Sequence, residues 1–173
     1  MAAIDDLANL RPSRVVRRTG TMTIAGHRFE VHLEPHAATA GDVWLCDPKD
    51  RLAIVDDLVV TFTPFMDTAC LAGRRAALAN IEKASFRTLI PGHGDVMDRA
   101  AFRRWRQAFN NLLDCAAGTT TKESCVAGWM RDAAEFVAST DQRRVWSMIG
   151  YYIDSRLRAP PQEKARYCPG GSG

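Results

Sequence analysis

The sequence predicts an α/β protein, because its hydrophobic patterns follow a mixed order along the chain. Alternating apolar residues come first, then short apolar runs that alternate with helical stretches, and finally helical stretches alone. The chain has 173 residues, of which 46% are hydrophobic and 25% charged, as in one ordinary globular domain. A chain of that length buries enough apolar surface to fold without an obligatory disulfide or metal.

The strand signals are concentrated between residues 20 and 55. Apolar and polar residues alternate on both sides of Gly26, which predicts a hairpin that turns at this glycine. Residues 42–46 and 52–55 are short apolar runs separated by Asp47-Pro-Lys-Asp50, a typical turn sequence. We therefore expect these strands to form a half-sheet joined by tight turns.

Helical patterns dominate from residue 67 onward. The first helix is expected to be capped by Asp67 or Thr68 and to run to about Lys83, and a short strand over 88–90 follows it. Further helices are expected after a cap at Asp98, over residues 122–136, and from a cap at Thr140 to Pro160-Pro161, with an irregular tail from Gln162. We divide the chain into a polar N-terminal segment (1–19), an α/β part (20–116) and a helical extension with a flexible tail (117–173).

Charge and hydropathy argue against two classes of partner. The net charge of +3 is too small to indicate nucleic-acid binding, and no run of 18 apolar residues could span a membrane. The four arginines between Arg99 and Arg106 flank an apolar helical stripe, so we interpret them as a solvated face. Asp5 and Asp6 do not suit a secretory signal, so we expect a cytoplasmic location, or a periplasmic or secreted one if a signal-bearing half precedes this chain.

The five cysteines include no Cys-x-x-Cys pair, so a thiolate zinc knuckle is not expected. Cys46 and Cys70 lie in apolar stretches and are predicted to be reduced, small apolar residues. Cys115, Cys125 and Cys168 are compatible with three thiols or with a disulfide among them. A disulfide would require an oxidising compartment.

Two residues that follow predicted strands are the strongest candidates for chemistry. His93 lies in Pro-Gly-His-Gly after the strand 88–90, where flanking glycines leave the imidazole uncrowded. Asp56 and Asp57 follow the strand 52–55, and strand alternation is expected to direct one carboxylate toward the sheet face. A carboxylate near a core needs a cation or hydrogen-bond donors, so we predict that Asp57 binds a metal.

The remaining histidines differ in their settings. His36 lies in a loop after a strand and is the third candidate metal ligand, whereas His27 and His32 are predicted to be surface residues. Imidazole and carboxylate groups suit zinc, iron or manganese better than calcium. We therefore expect a zinc site, with iron or manganese as alternatives, built from His93, Asp57 and His36.

Three landmarks in this order resemble the C-terminal half of the metallo-β-lactamase-fold hydrolases: Thr39-Ala-Gly-Asp42, Val55-Asp-Asp-Leu-Val59 and Ile90-Pro-Gly-His-Gly94. The resemblance covers about residues 20–116. It implies that the chain is the C-terminal αβ unit of a metallo-β-lactamase-like αββα sandwich, here with a helical C-terminal extension. It also implies that Asp57 bridges two metals and that His93 binds one of them.

Two departures from the family pattern imply an incomplete site. The motif His-x-His-x-Asp-His, which supplies most first-half ligands in the family, does not occur in this chain. The family loop His-Thr-x-Gly-Asp aligns its histidine with Ala38, whereas His36 lies two residues earlier, about 6–7 Å along an extended chain. His36 therefore takes the ligand position only if this loop bulges.

The resemblance implies a metal-dependent hydrolase in which activated water attacks an ester, thioester or amide-type bond, with Asp57 orienting the nucleophile. A catalytic zinc needs about three protein ligands, so this chain alone is expected to bind little or no zinc and to have low or no activity. The alternative is a non-catalytic dimerising or binding module that retains the scaffold. The inner sheet face is expected to be covered by a homodimer mate, by a complementary N-terminal half or by the C-terminal helices. The sequence does not identify the small-molecule substrate.

Overall fold

Six strands form one mixed sheet in chain order. The computed structural model describes residues 14–169, so most of the predicted N-terminal segment, including Asp5 and Asp6, and the last four residues of the predicted tail lie outside the described residues. The strands are β1 Gly20–Ile24, β2 His27–Pro35, β3 Gly41–Asp47, β4 Leu52–Ile54, β5 Thr88–Ile90 and β6 Met97–Asp98. All neighbours are antiparallel except β4 and β5, which are parallel and joined through a helix. The α/β class is confirmed.

Within residues 14–169, five α-helices accompany the sheet: α1 Leu71–Lys83, α2 Arg99–Ala117, α3 Lys122–Asp132, α4 Gln142–Tyr152 and α5 Pro161–Ala165. Short 3-10 turns cover Asp56–Leu58 and Ala134–Phe136, and a π-helical turn, Ile153–Leu157, continues α4. The predicted turn at Gly26 is confirmed. Ala25 and Gly26 both have positive φ (49° and 81°), as a type I′ hairpin requires.

One face of the sheet forms the core with α1 and α2. In β3, β4 and β5 the side chains alternate, and the set that points to the helices is buried. The fully buried members from sheet and helices include Trp44, Ala53, Leu89, Leu78, Ile81, Phe102, Trp105 and Phe109. The predicted apolar stripe of α2 therefore packs as expected, and the Asp98 carboxylate caps this helix by accepting a hydrogen bond from the Ala101 N–H.

The opposite face of the sheet carries a continuous apolar row. Val31, Leu45, Ile54 and Ile90 lie directly opposite one another across four strands. Leu45, Ile54 and Ile90 remain partly exposed, whereas Val31 at the β2 end of the row is buried. We call this the open face. An apolar sheet face of this kind is normally covered by a second layer.

The helical extension packs against α2 and is fastened by two disulfides. Cys115 on α2 is bonded to Cys125 on α3, one of the predicted alternatives. Cys70 is bonded to Cys168, which overturns the prediction of a reduced Cys70. These two cysteines are 98 residues apart, and only tertiary packing brings their Cα atoms to 5.0 Å. Cys46 is a free, buried cysteine as predicted, and burial raises the pKa of its thiol.

Several predicted helix ends are wrong, and at the start of α1 the polar side chains are used elsewhere. Helix α1 begins at Leu71 after Cys70, since Asp67 accepts a hydrogen bond from the Tyr152 hydroxyl and Thr68 donates one to the Ala38 carbonyl. Helix α4 follows Asp141 rather than Thr140 and has no side-chain cap. The predicted helix over 122–136 ends at Asp132, and the tail predicted to be irregular contains α5.

Candidate functional site

Asp57 and His93 lie together at the edge of the sheet where β4 and β5 end. Because these two strands are parallel, the residues that follow them meet at the same edge. The Nε2 atom of His93 is 3.3 Å from Oδ1 of Asp57. Both side chains are open to solvent, 51% and 42% exposed, so an ion or a substrate could reach them.

Backbone hydrogen bonds hold the two loops of this pair against each other. The Gly92 N–H donates to the carbonyls of Asp56 (2.9 Å) and Val59 (3.1 Å), and the Thr61 N–H donates to the His93 carbonyl at 3.0 Å. Residues 56–58 form a 3-10 turn in which Asp56 has φ 45°, so the expected strand alternation of Asp56 and Asp57 is wrong. The turn arises because β4 ends at Ile54, two residues before this acid pair.

Gly92 allows the close approach of the two loops. A Cβ atom at this position would lie 2.6 Å from Oδ1 of Asp57 and 2.6 Å from the carbonyl carbon of Asp56. Gly94 has φ 104° and packs against Thr61, where a Cβ would clash. The glycines on both sides of His93 are therefore required by packing and backbone geometry as well as by access to the imidazole.

Arg74 supports the Asp57 loop from below and was not singled out by the sequence. Its guanidinium is fully buried and donates to the carbonyls of Asp57 (2.7 Å), Leu58 (3.1 Å) and Phe65. Burial lowers the pKa of Arg74 to about 10, although nearby carboxylates oppose this shift, so the group stays charged at neutral pH. The sequence did contain a signal for its burial. Arg74 lies three residues after Leu71 and four before Leu78, a spacing that places it on the apolar face of α1.

His36 lies at the same edge of the sheet but does not join the pair. It follows β2, which runs parallel to β4 because each is antiparallel to β3. His36 adopts a positive φ of 55° in this loop, and Asp42 is used within the loop, where it accepts hydrogen bonds from the Thr39 N–H and hydroxyl. In the described part of the chain, no third His, Cys, Asp or Glu has a ligand atom within 4.8 Å of both members of the pair. The ligand role of His36 stays a prediction.

A different trio occurs at the opposite edge. His27, Asp47 and Asp50 place three ligand-type atoms within 4.8 Å of one another, and no other such group is found within residues 14–169. His27 is exposed, as predicted, and its Nδ1 lies 3.5 Å from Asp47 and 3.3 Å from Asp50. The Asp47 carboxylate also accepts hydrogen bonds from the Asp50 and Lys49 N–H groups in its own turn. These bonds, with that from Asp50 the stronger influence, lower the pKa of Asp47, although desolvation acts in the opposite direction.

His32 is less exposed than predicted. Its ring stacks on Trp44 with 3.8 Å between the ring centroids and 6° between the planes.

The arginines between Arg99 and Arg106 are engaged at the surface: Arg103 and Arg106 pair with Glu82, Arg104 pairs with Glu135, and Arg99 donates to backbone carbonyls. Glu82 thus links α1 to α2, and Glu135 links α2 to the turn after α3.

The geometry of the Asp57–His93 pair fits a zinc ion. Two ligands of a tetrahedral zinc, each about 2.0–2.1 Å from the metal, are separated by about 3.3–3.4 Å. The Nε2–Oδ1 separation of 3.3 Å matches this value. An ion pair between an imidazole and a carboxylate has the same separation, so the distance is compatible with both arrangements.

Three solved structures are similar to this chain. The alignment with a metallo-β-lactamase family protein from Thermus thermophilus covers 80% of this chain and 48% of that protein. The sequence identity is 14% and the TM-score is 0.50. The alignment with the stereoselective inverting sec-alkylsulfatase Pisa1 from Pseudomonas sp. covers 86% of this chain and 29% of that protein. The sequence identity is 17% and the TM-score is 0.51. The alignment with a beta-lactamase domain protein from Burkholderia ambifaria covers 74% of this chain and 45% of that protein. The sequence identity is 19% and the TM-score is 0.50.

No protein-family model and no curated protein matches the sequence. None of the helices described between residues 14 and 169 is long and apolar enough to cross a membrane. The chain spans less than half the length of the three solved structures. Their structural similarity supports the resemblance seen in the three sequence landmarks, and the chain has the fold of the metallo-β-lactamase-type proteins over less than half their length.

Proposed function

We propose that this chain is the metal-binding C-terminal unit of a metal-dependent hydrolase that acts on an ester, thioester or amide-type bond. The observation that carries the proposal is the Asp57–His93 pair, held 3.3 Å apart at the end of two parallel strands. In this proposal His93 and Asp57 would hold the metal, and the second carboxylate oxygen of Asp57 would orient the attacking water. A zinc ion would supply the chemistry that lowers the pKa of a water molecule to about 7.

The chain provides two well-placed ligands, whereas a catalytic zinc needs about three. We propose that the missing ligands come from a second αβ unit that covers the open face. The complementary N-terminal half would be such a unit, and a second copy of this chain is the other candidate. Coverage of less than half of each solved structure supports this division. On its own, the chain should have low or no hydrolytic activity.

The test is zinc content after loading and dialysis, measured by elemental analysis on the unmodified chain and on Asp57→Ala and His93→Ala. The proposal predicts that either substitution lowers retained zinc. His27→Ala is the matched control, because it alters the trio at the opposite edge. Zinc that is lost only in His27→Ala would place the metal at that trio and contradict the proposal.

A second function is supported by the ligand set itself. No third ligand atom completes the Asp57–His93 pair among the described residues, and the open face is apolar. Both features suit a non-catalytic dimerising or binding module. If the chain retains no zinc under any loading condition, including concentrations at which it dimerises, a second copy does not supply the missing ligands, and this second function is favoured over a homodimeric hydrolase.

A further inference from the structure

A cavity of about 360 Å³ lies between α1, α2 and the C-terminal segment that includes α5. None of its lining residues belongs to the Asp57–His93 pair. Its apolar wall consists of leucines and alanines: Leu71, Leu113, Leu157, Ala69, Ala72 and Ala117. Cavities of about 300–1,000 Å³ with mainly apolar walls are typical of small-molecule sites.

The charged residues of this cavity carry an excess of positive charge. Arg75, Arg156 and Lys164 line it together with one acid, Asp114, which is neutralised by Arg75 at 2.7 Å. Arg156 donates to backbone carbonyls, including that of Met66 at 2.9 Å, and lies over the Tyr167 ring. Lys164 has no carboxylate within 4.0 Å in residues 14–169. Among the described residues, neither Arg156 nor Lys164 forms an ion pair with a carboxylate, and both lie beside the apolar wall.

We propose that this cavity binds a small single-chain amphiphilic anion, such as an alkyl carboxylate. The alkyl chain would lie against the leucines, and the head group would be held by Arg156 and Lys164. At about 30 Å³ for each non-hydrogen atom, the cavity holds about a dozen such atoms, the size of decanoate. This site is independent of the proposed hydrolase function, and neither proposal depends on the other.

The Cys70–Cys168 disulfide forms part of the site. Cys168 lines the cavity, and its bond to Cys70 fixes the C-terminal segment next to the start of α1. Cleavage of this bond would release that wall of the cavity. Binding of the anion is therefore expected only while this disulfide is intact.

The test is calorimetric titration of the oxidised chain with decanoate, decanol and acetate. Saturable 1:1 binding of decanoate, with decanol at least about tenfold weaker and acetate not bound, is the expected result. Lys164→Glu should weaken decanoate binding at least about tenfold, and Leu113→Trp should abolish it by filling the cavity. Lys49→Glu, the same charge change in the β3–β4 turn, should leave binding unchanged. Equal binding of decanol and decanoate, or unchanged binding in Lys164→Glu, would overturn the proposal.

The role of the disulfide is tested with two serine variants. Cys168→Ser removes the bond in the cavity wall, and Cys125→Ser removes the bond between α2 and α3. Circular dichroism of both variants verifies that they are folded. Loss of decanoate binding in Cys168→Ser alone is the expected result. If folded Cys168→Ser binds decanoate as tightly as the unmodified chain, the disulfide has no part in the site.

Discussion

Arg74 determines where Asp57 lies, because its buried guanidinium joins three backbone carbonyls of the adjoining loops. We expect Arg74→Met to lower the free energy of unfolding by about 2–4 kcal/mol, since these carbonyls would lose their charged donor inside the protein. Urea denaturation measures this change. Arg75→Met is the control, because Arg75 makes a partly exposed ion pair and should cost about 1 kcal/mol or less. If the two variants lose the same free energy of unfolding, the buried hydrogen bonds of Arg74 contribute no more to stability than the exposed ion pair of Arg75.

Gly92 is the second residue on which the Asp57–His93 pair depends. Gly92→Ala would place a methyl group 2.6 Å from Oδ1 of Asp57, so the two loops must separate. We expect a loss of about 1–3 kcal/mol in stability and a loss of zinc retention. Gly41→Ala is the matched control, because a Cβ at Gly41 meets no atom within 4 Å. Retained zinc in a folded Gly92→Ala variant would contradict this account of the loop contact.

Helix α4 is tied to the loop before α1 by one hydrogen bond, from the Tyr152 hydroxyl to Asp67 at 2.7 Å. Burial raises the pKa of Tyr152 to about 12, and the hydrogen bond to Asp67 adds to the shift. Because the folded-state pKa is raised, the stabilisation is complete below about pH 10, the usual pKa of tyrosine, and is lost as the pH rises toward 12.

The measurement is the difference in free energy of unfolding between the unmodified chain and Tyr152→Phe. We expect a difference of about 1–2 kcal/mol at pH 8 that falls between pH 10 and 12. The comparison cancels the titration of groups that do not interact with Tyr152. Arg74 is not among them, because Tyr152 raises its pKa and it titrates in the same pH range. Tyr151→Phe, at the exposed neighbouring position, should show no such pH dependence. A difference for Tyr152→Phe that stays constant up to pH 12 would rule out this linkage.

The two disulfides predict a specific pattern of thiol reactivity. Alkylation of the unfolded, non-reduced chain should modify one cysteine, Cys46, and peptide mass spectrometry should recover the pairs Cys70–Cys168 and Cys115–Cys125. In the folded chain Cys46 should react slowly, because it is buried and burial raises its pKa. Modification of Cys70 or Cys168 in the non-reduced chain would contradict the disulfide bond between these two residues.

The elements were predictable where local patterns decide them. The hairpin at Gly26, the strand 88–90 and the cap at Asp98 depend on neighbouring residues, and all three occur. The caps at Asp67 and Thr140 failed because tertiary partners or backbone geometry took precedence over local capping. The Cys70–Cys168 pair had no local signal, since its cysteines are 98 residues apart. The strand ends and the family resemblance indicated His93 and Asp57, whereas the turn that positions Asp57 and the support from Arg74 required the structure.

At the scale of the whole molecule, the open face should govern association. Leu45, Ile54 and Ile90 in its apolar row are partly exposed, and covering them releases water from their surface. We expect the isolated chain to form dimers through this face and Leu45→Arg to shift sedimentation toward the monomer. Val96→Arg, at an exposed apolar position that is not in the row, is the control. A monomer at every concentration would exclude the second copy as the covering unit and leave the complementary half.

The backbone hydrogen bonds between residues 56–61 and 90–93 have a consequence for the evolution of this scaffold. These bonds, rather than the side chains of Asp57 and His93, hold the two loops in place. We therefore expect the loops to keep their shape when either side chain is replaced. Under the proposed function, a single substitution would remove the metal site and leave a folded binding protein, and the reverse substitution would restore the site.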